Sequence, residues 1–498
     1  MTTITPLPPT DPSLSRPLTT VLPPADSTPS FLITAADKSY KHQYANIYFI
    51  RLRNLRDLVE EKARQRWHGI DGNPILVPKV LEVEKSQLCY VVGTVYMDMP
   101  LKPNVMEDIA RDNSIPPPPP LSKFYSPDDN IMLEDESGRI QLVGKRVIEE
   151  RLVTGVIVAV LGIETPTGEF EVVDVCYAGM APQPKFAALE QKMEVDGQLD
   201  ASTTTDAWIA VVSGLDIGSP STADAQMQML TEYLTGEEGG SADQVSAAQI
   251  SRLIIAGDSL APVMLTKNEA EEVKKGRRYG YDGTSFSPHP TLSLAAHLLD
   301  IARSIPVHLL PGETDPSGVI LPQQPFPRAM FGAVSSSSSF SCETNPTYLR
   351  IGSGPENVRT LLVNSGQPLN DMFKYVQTPP VTPISLLEST VRWRHMAPTA
   401  PDTLWCHPYF SADPFIIPET PDIYIVGGQE KFGTKVVVDG DTKCRLVLVP
   451  RFADTGLLVL VNLRTLAVKC VKFGMRDEGE IPFHAPFTVP KLSPGTEK

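Results

Sequence analysis

The chain has 498 residues, 41% of them hydrophobic, with 44 basic and 59 acidic side chains and a formal charge of -15. The length predicts about three domains with ordinary packed cores, and the acidic balance argues against broad contact with a phosphate backbone, which needs clustered Lys and Arg. The six cysteines stand far apart without a C-x-x-C pair, which argues against a zinc knuckle or disulfide framework and predicts buried thiols in a reducing compartment.

In chain order, residues 1–30 are rich in Pro, Thr and Ser without apolar periodicity, so a disordered tail is expected there. The N-terminus lacks a basic cluster followed by an apolar run, and no stretch reaches the ~18 apolar residues of a membrane span, so a soluble intracellular protein is expected. Tyr44, Ile47, Tyr48, Leu52, Leu55, Leu58 and Val59 recur at three- and four-residue steps, with Arg51, Arg53 and Arg56 on other faces. That spacing predicts one long amphipathic helix within 39–70.

Residues 71–185 switch to period two. L-C-Y-V-V-G-T-V-Y (88–96), G-R-I-Q-L-V-G (138–144), L-V-T-G-V-I-V-A-V-L-G (152–162) and E-F-E-V-V-D-V-C-Y (169–177) read as strands of a small OB-type barrel. The I-P-P-P-P-P run (115–120) cannot donate ladder hydrogen bonds and predicts an exposed polyproline insertion. Residues 75–181 carry a net charge of -8, so a groove stacking single strands on Tyr90 and Tyr96 would be acidic, and packing against protein suits this barrel better. After a linker at 186–206, residues 207–474 alternate strands (208–213, 251–256, 306–310, 359–364 and 422–426) with helices such as 291–305, which predicts an α/β core. Four consecutive strands at its end predict a second sheet packed over the first. K-K-G-R-R (274–278) reads as a charged loop or an import signal, and 475–498 as a C-terminal tail.

Each core strand ends in a Gly-containing turn: S-G-L-D-I-G (213–218), A-G-D-S-L-A (256–261), P-G-E-T-D (311–315), N-S-G-Q (364–367) and V-G-G-Q-E (426–430). Ligands of open α/β sheets gather at such strand ends. The order and spacing resemble the five motifs of calcineurin-like metallophosphoesterases, D-x-H, G-D-x-x-D, G-N-H-D/E, a lone His and G-H-x-H, in which two metal ions polarise a phosphate and generate hydroxide. By that resemblance Gly214 replaces the first Asp and Asp216 the first His. Asp258 survives and Ala261 replaces the second acid. Glu313 and Thr314 stand for Asn and the phosphate-facing His, with Asp315 the final acid. Ser365 or Gly366 falls at the lone His, and Gly428 and Glu430 at the last pair. No matched position holds a histidine, and neither metal nor other cofactor is expected. Acids left close together without cations would repel, raising their pKa values or turning to solvent.

S-Y-K-H-Q-Y-A-N-I-Y-F-I-R-L (39–52), L-E-D-E-S-G-R-I (133–140), V-V-S-G-L-D-I-G (211–218), L-P-Q-Q-P (321–325), T-L-L-V-N-S-G-Q (360–367), A-P-T-A-P-D-T-L (397–404) and F-G-T-K (432–435) together resemble the B-subunit family of eukaryotic replicative DNA polymerases, and within it the delta branch. The resemblance spans about 39–474. It implies α/β plus all-β architecture: an OB-fold barrel joined to a calcineurin-like phosphoesterase β-sandwich with flanking helices, behind the long N-terminal helix. It further implies a nuclear, non-catalytic scaffold in DNA replication and repair. Its partners would be the C-terminal cysteine-rich domain of the polymerase delta catalytic subunit, where polymerase activity resides, and a third subunit, with the polymerase zeta catalytic subunit as a further host and DNA contacted only indirectly. Aromatics of L-P-Q-Q-P-F-P (321–327) and W-C-H-P-Y-F (405–410), namely Phe326, Trp405, Tyr409 and Phe410, are candidate partner anchors. The rival readings are a divergent metal-dependent phosphodiesterase and a single-stranded nucleic-acid-binding OB module.

Overall fold

A computed structural model describes residues 14–35, 38, 41, 43–103, 121–183, 206–219, 223–237, 239–262, 289–352 and 358–474. The polyproline run, the basic K-K-G-R-R stretch, nearly all of the expected linker and the C-terminal tail lie outside these residues. No described helix is long and apolar enough to cross a membrane.

After a short strand β1 (Thr20–Leu22), helix α1 (Asn46–Arg66) leads into β2 (Ile75–Leu76), β3 (Leu88–Asp98), β4 (Asn130–Glu134), β5 (Arg139–Val143), β6 (Ile157–Glu164) and β7 (Phe170–Cys176). These pair in the order β2-β3-β4-β5-β7-β6, and β3 also pairs with β6, so the sheet closes on itself. Period two decides what each side of β3 meets. Val91, Val95 and Met97 face a core shared with Leu133 and Phe170, while Tyr90 and Val92 face outward and are covered by Leu52, Leu55, Val59 and Ala63 of α1.

The remaining strands are β8 (Trp208–Val212), β9 (Ile250–Ala256), β10 (Val307–Leu310), β11 (Phe340–Cys342), β12 (Thr347–Gly352), β13 (Val358–Asn364), β14 (Ile423–Gln429), β15 (Gly433–Asp439), β16 (Thr442–Pro450), β17 (Leu457–Asn462) and β18 (Val468–Lys472). They form two six-stranded sheets, β1-β12-β13-β14-β16-β15 and β11-β10-β9-β8-β17-β18. Strands buried on both faces feed two cores at once. Ile209 and Val211 meet Leu361, Val363, Ile423 and Ile425 between the sheets. The alternate residues Ala210 and Val212 pack outward beneath helices that include His289–Ser304. β8, β9 and β10 run parallel, as do β13, β14 and β16, and the turns after these strands gather at one end.

Two expectations differ from this fold. Within the tail expected to be disordered, the described residues 14–30 are bound: β1 pairs antiparallel with β12 and Arg16 donates to the carbonyls of Leu234, Ala247 and Ile250, while just beyond the tail Phe31 is buried against Tyr348 and Phe415. Composition hid this because a few anchors, rather than periodicity, hold the segment. The four final strands do not form one sheet: β15 and β16 extend the first and β17 and β18 the second, since the turn after β16 carries the chain across. Tyr90 is 5% exposed and edge-on to Trp67 at 5.2 Å, so it packs beneath α1, in keeping with the reading that disfavoured it as a platform for single strands.

Candidate functional site

The turns after β8, β9 and β10 and those after β13, β14 and β16 converge between the sheets. Ser213 Oγ donates to the carbonyl of Ala256 at 2.7 Å and accepts from Gly428 N at 2.8 Å, tying three turns together. Asp216 and Asp258 both adopt left-handed backbone, φ 48° and 56°, which non-glycine residues other than Asn and Asp seldom tolerate. That conformation turns both carboxylates toward Arg451, which follows β16 on the opposite sheet. The Arg451 guanidinium forms an ion pair with Asp216 and lies 3.9 Å from Asp258 Oδ2 and 3.3 Å from Asp454 Oδ2. Burial raises the Asp216 pKa, and Arg451 opposes the shift.

Other groups are held by the protein itself. Asp258 Oδ1 accepts from Thr314 N at 2.9 Å. Asp315 accepts from Leu260 N and Gly312 N, each at 2.8 Å; burial pushes its pKa up to about 7 despite these bonds. Behind them is an amide network: Asn345 Nδ2 lies 2.7 Å from Gln323 Oε1 and 2.8 Å from Gln367 Oε1, Asn345 Oδ1 accepts from Ser365 N at 3.0 Å, and Gln323 Nε2 donates to Gly312 O at 2.9 Å.

The structure thus brings together Gly214, Asp216, Asp258, Thr314, Ser365, Gly366 and Gly428. Ala261 stands at the rim, its N–H bonded to Ile217 O at 3.0 Å. Glu313 and Glu430 are exposed, the solvent-facing outcome available to a surplus acid. Sequence reasoning missed Arg451, Gln323 and Asn345, which lie outside the five turns. The two-metal arrangement implied by the phosphoesterase resemblance does not fit these residues, because a guanidinium stands between the two carboxylates. Among the described residues no three His, Cys, Asp or Glu side chains are grouped to hold a metal ion. Two histidines are engaged away from these turns: His308 accepts from Arg252 at 2.7 Å and contacts Glu343 at 2.8 Å, and His297 bonds Thr231 at 3.1 Å.

Of the anchor candidates, Trp405 and Phe410 are 66% and 61% exposed, whereas Phe326 is 3% exposed. Phe326 meets Phe331 edge-on at 5.6 Å and is a core residue, not a surface anchor. Tyr409 is half-buried against His407 and Phe415.

Comparison with known sequences agrees with this two-part layout. Residues 43–175 match the DNA polymerase delta subunit OB-fold domain, and 209–434 match the DNA polymerase alpha/epsilon B-subunit family. The DNA polymerase delta small subunit of Arabidopsis thaliana is 36% identical over 86% of this chain and 91% of its own length. Those of Oryza sativa subsp. japonica and Saccharomyces cerevisiae are 34% and 33% identical, over 88% and 93% of this chain and 94% and 96% of their own lengths. The chain belongs to the DNA polymerase delta small-subunit family.

In this delta small-subunit chain one buried cluster joins the two matched regions. Arg51 of α1 is fully buried, and its Nε donates to Asp413 Oδ2 at 2.7 Å. Nη1 donates to Gly155 O at 3.1 Å in the barrel and to Pro398 O at 2.7 Å, and Nη2 to Ala400 O at 2.9 Å. His395 Nε2 shares the Asp413 oxygen at 2.8 Å, and burial together with the Arg51 charge brings the His395 pKa down to about 4. Asp413 is held well below the ordinary carboxylate range: burial works against this, but Arg51 and His395 outweigh it.

Proposed function

We propose that this chain is the non-catalytic second subunit of a nuclear DNA polymerase delta assembly: a scaffold that grips the C-terminal cysteine-rich domain of the catalytic subunit and the third subunit, supporting replication and repair synthesis. Polymerase activity belongs to the catalytic partner. The observation that carries this reading is similarity to delta small subunits along nearly the whole chain, joined to a strand-end site whose carboxylates are engaged by Arg451 rather than left to hold metal. A phosphoesterase-like sandwich that has lost its chemistry keeps large, rigid surfaces available for partners. Trp405 and Phe410 supply exposed aromatic area of the kind that concentrates binding energy. Co-expression with the C-terminal segment of a B-family polymerase tests the proposal. Co-purification of the two as a stable complex is expected; two separately eluting proteins, with manganese-dependent hydrolysis of a bis-aryl phosphate by this chain, would replace the scaffold reading with the phosphodiesterase one.

A further inference from the structure

We propose that Gly214 and Arg451 together form a built-in substitute for a metal ion, a resident guanidinium that takes a cation's place between the strand-end carboxylates. The inference does not depend on the scaffold reading. Gly214 lies at φ 64°, and a Cβ placed there would stand 2.9 Å from both Cβ and Cγ of Arg451. The missing side chain at 214 is therefore the space through which the arginine stem passes. The stem is fixed by backbone: Phe452 N donates to Ser213 O at 2.7 Å and Ala453 N to Gly214 O at 2.9 Å. These bonds carry the guanidinium from one sheet onto carboxylates that end two strands of the other.

Charge placement supports the same conclusion. The Asp258 and Asp216 side chains are 6% and 12% exposed, so an uncompensated pair would repel in a poorly screened setting. Arg451 is in position to offset that repulsion with one positive charge, from the place where a cation would stand between the carboxylates. Two features at separate places in the chain, a glycine at 214 and a cation at 451, thus work as one unit. Among the described residues Asp216 Oδ1 is buried without a hydrogen-bond partner, so Arg451 engages this carboxylate through Oδ2 alone.

The test is a set of melting curves on the full chain. Asn adopts left-handed backbone as readily as Asp, so Asp216→Asn alters charge with little backbone effect. In the wild-type background Asp216→Asn is expected to lower Tm, because it removes the partner of a resident cation. In an Arg451→Gln background the same change is expected to raise Tm, because it relieves two facing carboxylates. A lowering of equal size in both backgrounds would overturn the proposal. If Arg451→Gln does not fold, the single Asp216→Asn variant decides: a rise in Tm rejects a resident cation. Manganese chloride and EDTA are each expected to leave the wild-type Tm unchanged, and a manganese-dependent rise would likewise overturn the inference.

Discussion

Replacing Arg51 by Met preserves a long apolar stem in the α1 groove and removes every contact of the guanidinium. The loss has two parts. Asp413 remains fully buried with only His395 and the Phe415 N–H as partners, and breaking a buried ion pair from one side costs about 3–5 kcal/mol. The carbonyls of Gly155, Pro398 and Ala400 also lose a charged donor, and an unsatisfied buried acceptor costs about 1–3 kcal/mol. Some carbonyls will find water, so a total of about 5 kcal/mol is expected. At about 2–4 °C per kcal/mol for a unit of 150–250 residues, Tm at pH 8 should fall by about 10 °C or more.

The pH dependence gives a sharper check. His395 is held neutral, its pKa near 4 in the folded chain against 6.5 as a reference, so in the wild type it costs stability as pH falls from about 6.5 toward 4. Removing Arg51 removes one cause of that depression, and the imidazolium becomes a replacement cation for Asp413. The deficit of Arg51→Met should therefore shrink between pH 8 and pH 5.5, as read by thermal or denaturant melts. A Tm loss below about 2 °C, or a deficit that widens on acidification, would refute the reasoning.

The carboxyl of Asp315, with its pKa raised to about 7, binds a proton more tightly folded than unfolded, so it adds stability that is present at acid pH and lost as pH rises from about 4 to 7. The stability advantage of wild type over Asp315→Asn should accordingly grow as pH falls toward 5, and a gap independent of pH would contradict the shift. Trp405→Ala and Phe410→Ala should each leave the stability of the isolated chain within about 0.5 kcal/mol of wild type while weakening capture of the polymerase C-terminal segment. Phe326→Ala should instead cost about 3–5 kcal/mol of stability.

Much of the fold was legible because period-two runs and Gly-rich strand ends leave local marks. Leu88–Asp98, Trp208–Val212 and Ile250–Ala256 form strands where the alternation or apolar runs indicate them. The strand-end site was half legible for the same reason: its turns are local, but its counter-ion is not. Arg451 reaches Asp216 across 235 residues of sequence, and no spacing rule connects them. Arg51 shows the opposite failure. It stands four residues after Ile47 and four before Leu55, on the apolar stripe of α1, so its position marks burial although its charge suggests a polar face; its side chain is fully buried because α1 is covered by a second unit as well as by the barrel. Residues 14–35 escaped notice because anchors such as Arg16 and Phe31 are single residues in a Pro-rich background.

Because one arginine on α1 donates at once to the barrel and to the sandwich loops, the two modules meet any third body as a single caliper of fixed span. A partner touching both jaws forms its second contact at a high effective concentration, without first freezing a hinge. Modest patches on each module can then add up to a grip that neither would provide alone.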